Sequence, residues 1–227
     1  MVGSFWVAAS HMNPVIYKET DHAPVPHEYI QDGFLYLRVR DLMQQGQSVY
    51  QATYTAYVDR QGETGTPSNW LNWRPPMLYF LWLLVPGGPQ ALLVAFWFLI
   101  GVTLIAAFYA VAEIVGTDLA LGAPALLGAY FLYGADTFWF SSQEWWSSSF
   151  MILGFCAFLK RSPALGSALW ALAMTSREHF IFLMPVVIAM AALDGRRARI
   201  SAAVSSLFVI VTYLVHYYHV AAYVTPG

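Results

Sequence analysis

ALGSALWALAMTSREHFIFLMPVVIAMAAL, residues 164–193, is the stretch on which the architecture turns. Its apolar pieces, 164–175 and 180–193, are separated by Ser176-Arg177-Glu178-His179, so it reads either as one long helix or as two short ones meeting at a polar break. Basic clusters flank it on both sides, Lys160-Arg161 before and Arg196-Arg197-Ala198-Arg199 after, and short basic loops belong on the cytoplasmic face of a membrane. A single helix would put the two clusters on opposite faces. A chain that runs out to Ser176 and returns to Asp194 keeps both inside, although each leg is short for a hydrocarbon core of about 30 Å. The broken version is the expectation.

The rest of the composition fits that setting. The chain is 58% apolar and 11% charged, with 9 Trp, which makes a polytopic membrane protein the leading class and a water-soluble core the alternative. A net charge of −2 and the lack of a polybasic run give no electrostatic footprint for nucleic acid. The single cysteine, Cys156, lies in an apolar run and reads as a small buried hydrophobe. Seven of the thirteen acids (Glu19, Asp21, Glu28, Asp32, Asp41, Asp59, Glu63) precede residue 64, so the chain divides near Arg74. Residues 1–10 are apolar but short and lack the basic start of a secretory signal, and they read as the remnant of a first membrane helix.

Beyond Arg74 the apolar segments are 77–85, 89–115, 119–135, 147–159, 164–175, 180–193 and 200–221, giving a membrane bundle of about five to seven helical segments over 75–227. Counting back from Lys160 inside places the loop before Ser147 and all of 11–74 outside. Counting forward brings His216 and His219 toward the same face. Asp32, Arg74, Asp136, Glu144, Arg177, Glu178 and His179 therefore collect on one side, a result that used none of their chemistry.

Within the outer loop 11–74, residues 27–45 set Ile30, Phe34, Leu37 and Leu42 at helical spacing, with Pro26 near the first turn and Gly46 as the residue past the end. The pattern predicts an amphipathic surface helix. Asp32 and Tyr36 are an i, i+4 pair that would present a carboxylate and a phenol to one pocket, while the plainer reading is that Asp32 favours the helix N-terminal dipole. Arg38 and Arg40 read as surface charges near lipid phosphates. Residues 47–69, including GETGTPSN, read as a mobile segment without chemistry. Arg74 stands before Pro75-Pro76 and an aromatic-rich helix; its planar fork suits a phosphate, and interfacial snorkelling is the alternative.

Asp32-Gly33-Phe34-Leu35-Tyr36, then Met43 and Gly46, then Arg74-Pro75-Pro76-Met77-Leu78-Tyr79 follow a recognisable order. It resembles the GT-C class of polyprenyl-phosphate-sugar glycosyltransferases, in the group related to protein O-mannosyltransferases and lipid A aminoarabinose transferases. The resemblance runs over about residues 25–215. Many relatives carry Asp-Glu where this chain has Asp32-Gly33, and Lys-Pro-Pro where it has Arg74-Pro75-Pro76. The fold implied is a GT-C-like all-α membrane bundle with a large extracytoplasmic first loop, in the plasma (inner) membrane, and relatives are longer, so an N-terminal fragment is expected.

By the same resemblance Asp32 is the general base toward a hydroxyl or amine acceptor on a glycan, lipid or protein. Arg74 and Arg177 take the donor phosphate, and Tyr36, Glu144 and His179 take substrate. Trp145 and Trp146 beside Glu144 would stack on a sugar or form an interfacial aromatic belt. An Arg177–Glu178 or Glu178–His179 pair is the structural reading of the polar break. A divalent metal ion is the one cofactor to weigh, but His22, His27, Glu28 and Asp32 match no zinc spacing, and His216 with His219 lacks a third ligand. Walker, dinucleotide-binding and nucleophile-elbow patterns are absent from the sequence. The rival functions are a transporter or lipid carrier, for which the halves show no inverted repeat, and an inactive fragment of a transferase.

Overall fold

The computed structural model describes residues 32–61, 73–134 and 139–224. Regular structure among them is helical throughout: α1 (Asp32–Gln44), α2 (Val49–Gln61), α3 (Met77–Leu83), α4 (Pro89–Val115), α5 (Thr117–Ala120), α6 (Gly122–Gly134), α7 (Gln143–Leu159), α8 (Pro163–Ser176), α9 (Met184–Leu193) and α10 (Arg196–Val220). Two 3₁₀ segments, Trp139–Ser141 and Glu178–Leu183, lead into α7 and α9. Residues 1–10, His22, His27, Glu28, Ile30, GETGTPSN and Asp136 lie outside the described residues.

Helices α4 and α10, of 27 and 25 residues, are long and apolar enough to cross a bilayer. Only 39% and 17% of their most apolar windows are buried in the fold, whereas the core helix of a water-soluble protein would be mostly covered. Phe98 and Ile105 on α4, and Val204, Leu207 and Leu214 on α10, face outward. The chain thus carries membrane-association character on its long helices.

Helices α7 and α8 form an antiparallel hairpin whose approach is set by two glycines. A Cβ on Gly154 would run into the Trp170 ring and stand 3.1 Å from the Gly166 carbonyl oxygen; one on Gly166 would strike Phe158 and stand 3.0 Å from the Gly154 carbonyl. Small residues let helix backbones meet this closely. The space is filled by Phe158 stacked on Trp170 at 4.4 Å, and the Trp170 indole donates to the Met151 carbonyl at 3.0 Å. Next to this hairpin α10 packs against α8, with the Tyr213 hydroxyl donating to the Met174 carbonyl at 2.8 Å.

The break at 176–178 is real: α8 stops at Ser176, Arg177 is extended (φ −148°, ψ 122°), and a 3₁₀ segment begins at Glu178. Lys160, paired with Glu113 at the far end of α4, and Arg196 at the start of α10 lie at the end of the bundle opposite Arg177. That is the arrangement the two basic clusters called for.

The turn between α7 and α8 closes with Arg161 N–H donating to the Phe158 carbonyl at 2.9 Å and Ser162 N–H to Ala157 at 2.8 Å, a Schellman closure with Arg161 at φ 56°. A side chain there costs about 1–2 kcal/mol, offset by the lower chain entropy loss relative to glycine. Arg161→Gly is expected to stabilise the hairpin by about 0.5–1 kcal/mol, read as a raised thermal midpoint in a fixed detergent. The expected stop at Gly46 has the same geometry: φ 96°, with Gly46 N–H on Met43 and Gln47 N–H on Leu42.

Four expectations need correction. The helix ending at Gln44 is not a surface helix: Leu35, Tyr36, Leu37, Val39, Arg40, Leu42 and Met43 are all buried, because α2, α3 and the Trp139–Ser141 segment pack around it. Part of the expected mobile segment is α2, which buries Val49, Ala52 and Ala56 against α1; small alanines at helical spacing carry little apolar signal. Arg40 is not a surface charge but fully buried, donating to the carbonyls of Trp82 (3.3 Å), Val85 (2.8 Å) and Gly87 (2.7 Å), at and just beyond the end of α3. Arg38 does remain at the surface, 3.0 Å from Asp59. Trp145 and Trp146 form neither a belt nor an open stacking platform; they are core residues, packed with Trp82, Phe96 and Phe131.

Candidate functional site

Four separate pieces of chain meet at the open end of the α7–α8 hairpin: the middle of α1, the Trp73-Arg74-Pro75 approach to α3, the first turn of α7, and the break after α8. Tyr36 is brought in by its own helix face, with its ring set edge-on to Tyr79 at 6.3 Å. Pro75 and Pro76 fix the direction of Arg74, whose Nε donates to the Tyr36 hydroxyl at 3.1 Å and whose Nη1 donates to Glu178 Oε1 at 2.7 Å. Burial acts against the Arg74 charge, but the Tyr36 oxygen and the Glu178 carboxylate outweigh it and hold the guanidinium above its ordinary, already high, value.

The break supplies the other half. Because Arg177 is extended rather than helical, its side chain turns inward, and only 7% of it is exposed. Its Nη1 lies 3.2 Å from Glu178 Oε1, an ion-pair distance without hydrogen-bond alignment, and its Nη2 pairs with Glu144. The second oxygen of Glu144 takes the Ser142 hydroxyl. Glu178 is therefore shared between the two arginines.

A further brace holds Arg74 from behind. His216 on α10 is buried, with Nε2 3.0 Å from the Trp73 carbonyl; a carbonyl only accepts, so Nε2 carries the proton and the neutral ring accepts the Tyr50 hydroxyl at Nδ1, 3.3 Å away. Burial pushes Tyr50 up to about 12. The Tyr50 ring also stacks on His219 at 4.9 Å, and Trp73 meets Tyr223 at 5.5 Å. These contacts clamp α2 and the residue preceding Arg74 onto the end of α10.

No family model, curated protein or solved structure matches this chain.

Of the residues singled out in the sequence, Tyr36, Arg74, Glu144 and Arg177 come together. His179 sits at the edge: its side chain is 66% exposed and its ring nitrogen is 4.0 Å from Glu178. Asp32 is the first residue of α1; its side chain lies outside the described residues. The adjacent Gly33 carbonyl accepts the Ser141 hydroxyl at 3.1 Å, which ties the start of α1 to the segment leading into Ser142 and Glu144.

The sequence offered Glu178 only as a structural partner of Arg177 or His179, and the Arg177 pair is present; its contact with Arg74 was missed, as were Ser142, Tyr50 and the bracing use of His216. Tyr50 lay in a stretch read as irregular, and two histidines three residues apart suggested a metal rather than a backbone brace. Among the described residues no three His, Cys, Asp or Glu side chains gather as a metal would need. The His22, His27 and Glu28 part of the metal set lies outside those residues.

Chemically the cluster holds two guanidiniums against two carboxylates, beside a phenol, at one end of the helices. Such a set binds an oxyanion when one carboxylate yields its arginine, and fixed cations of this kind stabilise charge that develops on a leaving group. Next to it the segment after Glu178 turns apolar. Ile181, Phe182, Met184, Pro185 and Ile188 line an open groove of about 580 Å³.

Proposed function

We propose that this protein is a membrane glycosyltransferase of the GT-C kind, moving a sugar from a polyprenyl-phosphate donor to an acceptor at the outer membrane surface. The observation that carries the reading is the meeting of Tyr36, Arg74, Glu144, Arg177 and Glu178, from four segments of chain, at the bundle end opposite the basic loops. The apolar groove beginning one turn after Glu178 adds support, since the donor is an amphiphile with an anionic head and an apolar tail.

In this account the donor phosphate lies against Arg74 and Arg177. An acceptor oxygen or nitrogen attacks the anomeric carbon from the face opposite the phosphate, through a transition state with oxocarbenium character, and configuration inverts. The acceptor–carbon bond forms and the carbon–oxygen bond to phosphate breaks. Its electron pair leaves with the phosphate, and the acceptor proton passes to the Asp32 carboxylate. The arginines meet the charge that grows on the departing group. The Ser141–Gly33 bond, which ties the start of α1 to the entrance of α7, supports this role for Asp32.

General-base catalysis contributes about 10²–10⁴ in rate. Asp32→Asn is therefore expected to reduce transfer from a polyprenyl-phosphate sugar by at least about a hundredfold, with the thermal midpoint unchanged. Transfer at the unaltered rate in that variant would remove Asp32 from the chemistry. Transbilayer movement of the donor without sugar transfer would favour the lipid-carrier reading instead.

A further inference from the structure

The two carboxylates of the cluster are not held alike. Glu178 is 16% exposed and is shared by Arg74 and Arg177, whereas the Glu144 side chain is 39% exposed and is held by Arg177 Nη2 and the Ser142 hydroxyl. Behind Glu144, Arg177 is nearly enclosed, and its Nε and Nη1 are buried with no hydrogen-bond acceptor among the described residues. A guanidinium offers five donors in a fork that suits two oxygens of one anion. Here the fork is closed to the outside by a half-exposed carboxylate on the first turn of a helix, reached by a side chain with room to move.

We propose that Glu144 is a displaceable carboxylate: it occupies the oxyanion position of Arg177 when no phosphate is present, yields that position to an arriving phosphate group, and returns to expel it. The inference rests on the phosphate reading of the same site and adds a release device to it. Transfer turns a phosphodiester with one negative charge into a monoester whose second ionisation lies near pH 6, so the leaving polyprenyl phosphate carries more charge than the donor did. Two arginines alone would hold that product more tightly than the donor. A tethered carboxylate competes for Arg177 without diffusing to it, and the balanced charge of the cluster is restored as the product leaves. The Ser142 hydroxyl steadies the carboxylate in its resting position.

If the resting pair leaves Arg177 open about one-tenth of the time, apparent phosphate affinity is reduced about tenfold. The test is titration of the detergent-solubilised protein with farnesyl phosphate, followed by calorimetry. Glu144→Gln, which lacks the charge, and Glu144→Asp, which keeps it but falls one methylene short, are both expected to bind about tenfold more tightly than the unaltered protein. Arg177→Gln should lose binding. Glu113→Gln, at the opposite end of the bundle, should change nothing. Thermal midpoints recorded alongside identify any variant that fails to fold, and either Glu144 variant alone suffices.

Tightening in Glu144→Gln but not in Glu144→Asp would assign the effect to net charge and overturn displacement. Equal affinity in the unaltered protein and both Glu144 variants, with binding still lost in Arg177→Gln, would sink displacement while leaving the phosphate site standing. Absence of farnesyl phosphate binding in every form would remove the phosphate reading and the displacement together. Inorganic phosphate should follow the same ranking at higher concentration. If it bound more tightly than farnesyl phosphate, the occupant would be a soluble anion, contrary to a donor-linked role.

Discussion

Replacing Glu178 with alanine is expected to destabilise the protein by about 3 kcal/mol and to abolish transfer together. The residue is the common partner of Arg74 at 2.7 Å and Arg177 at 3.2 Å, and all three side chains are largely withdrawn from solvent. Removing one member of a buried ion pair costs more than the pair contributes, because the partner charge is left without compensation. Here Arg74 loses its carboxylate and Arg177 keeps only Glu144. Glu178→Gln should fall between the alanine variant and the unaltered protein, since the amide oxygen still accepts from Arg74 while the charge is gone. The check is the thermal unfolding midpoint in one detergent at fixed salt. A midpoint unmoved by the alanine substitution would mean that water already compensates both arginines, and the cluster would then be too wet to act as described.

Gly154→Val should be at least as damaging, by a different route. The valine Cβ would strike Trp170, whose indole is fixed on one side by its bond to Met151 and on the other by the Phe158 ring. Neither neighbour can give way without separating α7 from α8. Overpacking costs about 1–3 kcal/mol where surroundings can shift, and more where they cannot. A loss of about 3 kcal/mol or failure to fold is expected, with Gly154→Ala intermediate and Gly166→Val like Gly154→Val. Because Glu144 and Arg177 stand at the open end of this hairpin, partial separation should weaken their pairing before the fold is lost. A valine variant with unchanged midpoint would show that the helices do not approach as closely as the two glycines allow.

How much of this was legible in the sequence depended on whether the signal was local. The polar break at Arg177 was legible, because four polar residues interrupt apolar ones and the basic clusters at 160–161 and 196–199 must share a face. From it followed the joint location of Arg74, Glu144 and Arg177, though not their contacts. Gly46 ended its helix as expected. Arg40 was misread because a charged residue in the run Arg38-Val39-Arg40-Asp41 looks like a surface position; what buries it is the set of carbonyls at 82–87, about forty residues away, and no local pattern announces acceptors at that distance. The burial of Trp145 and Trp146 was hidden likewise, since a membrane-surface tryptophan and a core tryptophan read identically until Trp82 and Phe96 are seen against them. Helix α2 escaped because alanines at helical spacing among polar residues give a weak apolar signal, although Ala52 and Ala56 are fully covered.

The proposed function requires the arginines of this cluster to hold the phosphate of a sugar donor while the sugar is transferred. Its most direct test is release of polyprenyl phosphate from a polyprenyl-phosphate sugar, measured with the purified protein in lipid nanodiscs, for the unaltered chain and for Arg74→Gln/Arg177→Gln. Removing a fixed charge donor from a developing anion typically costs about 10²–10³ in rate. Acceptor-dependent release by the unaltered protein is expected, with at least about a thousandfold loss in the double variant. Equal release by both proteins would contradict it.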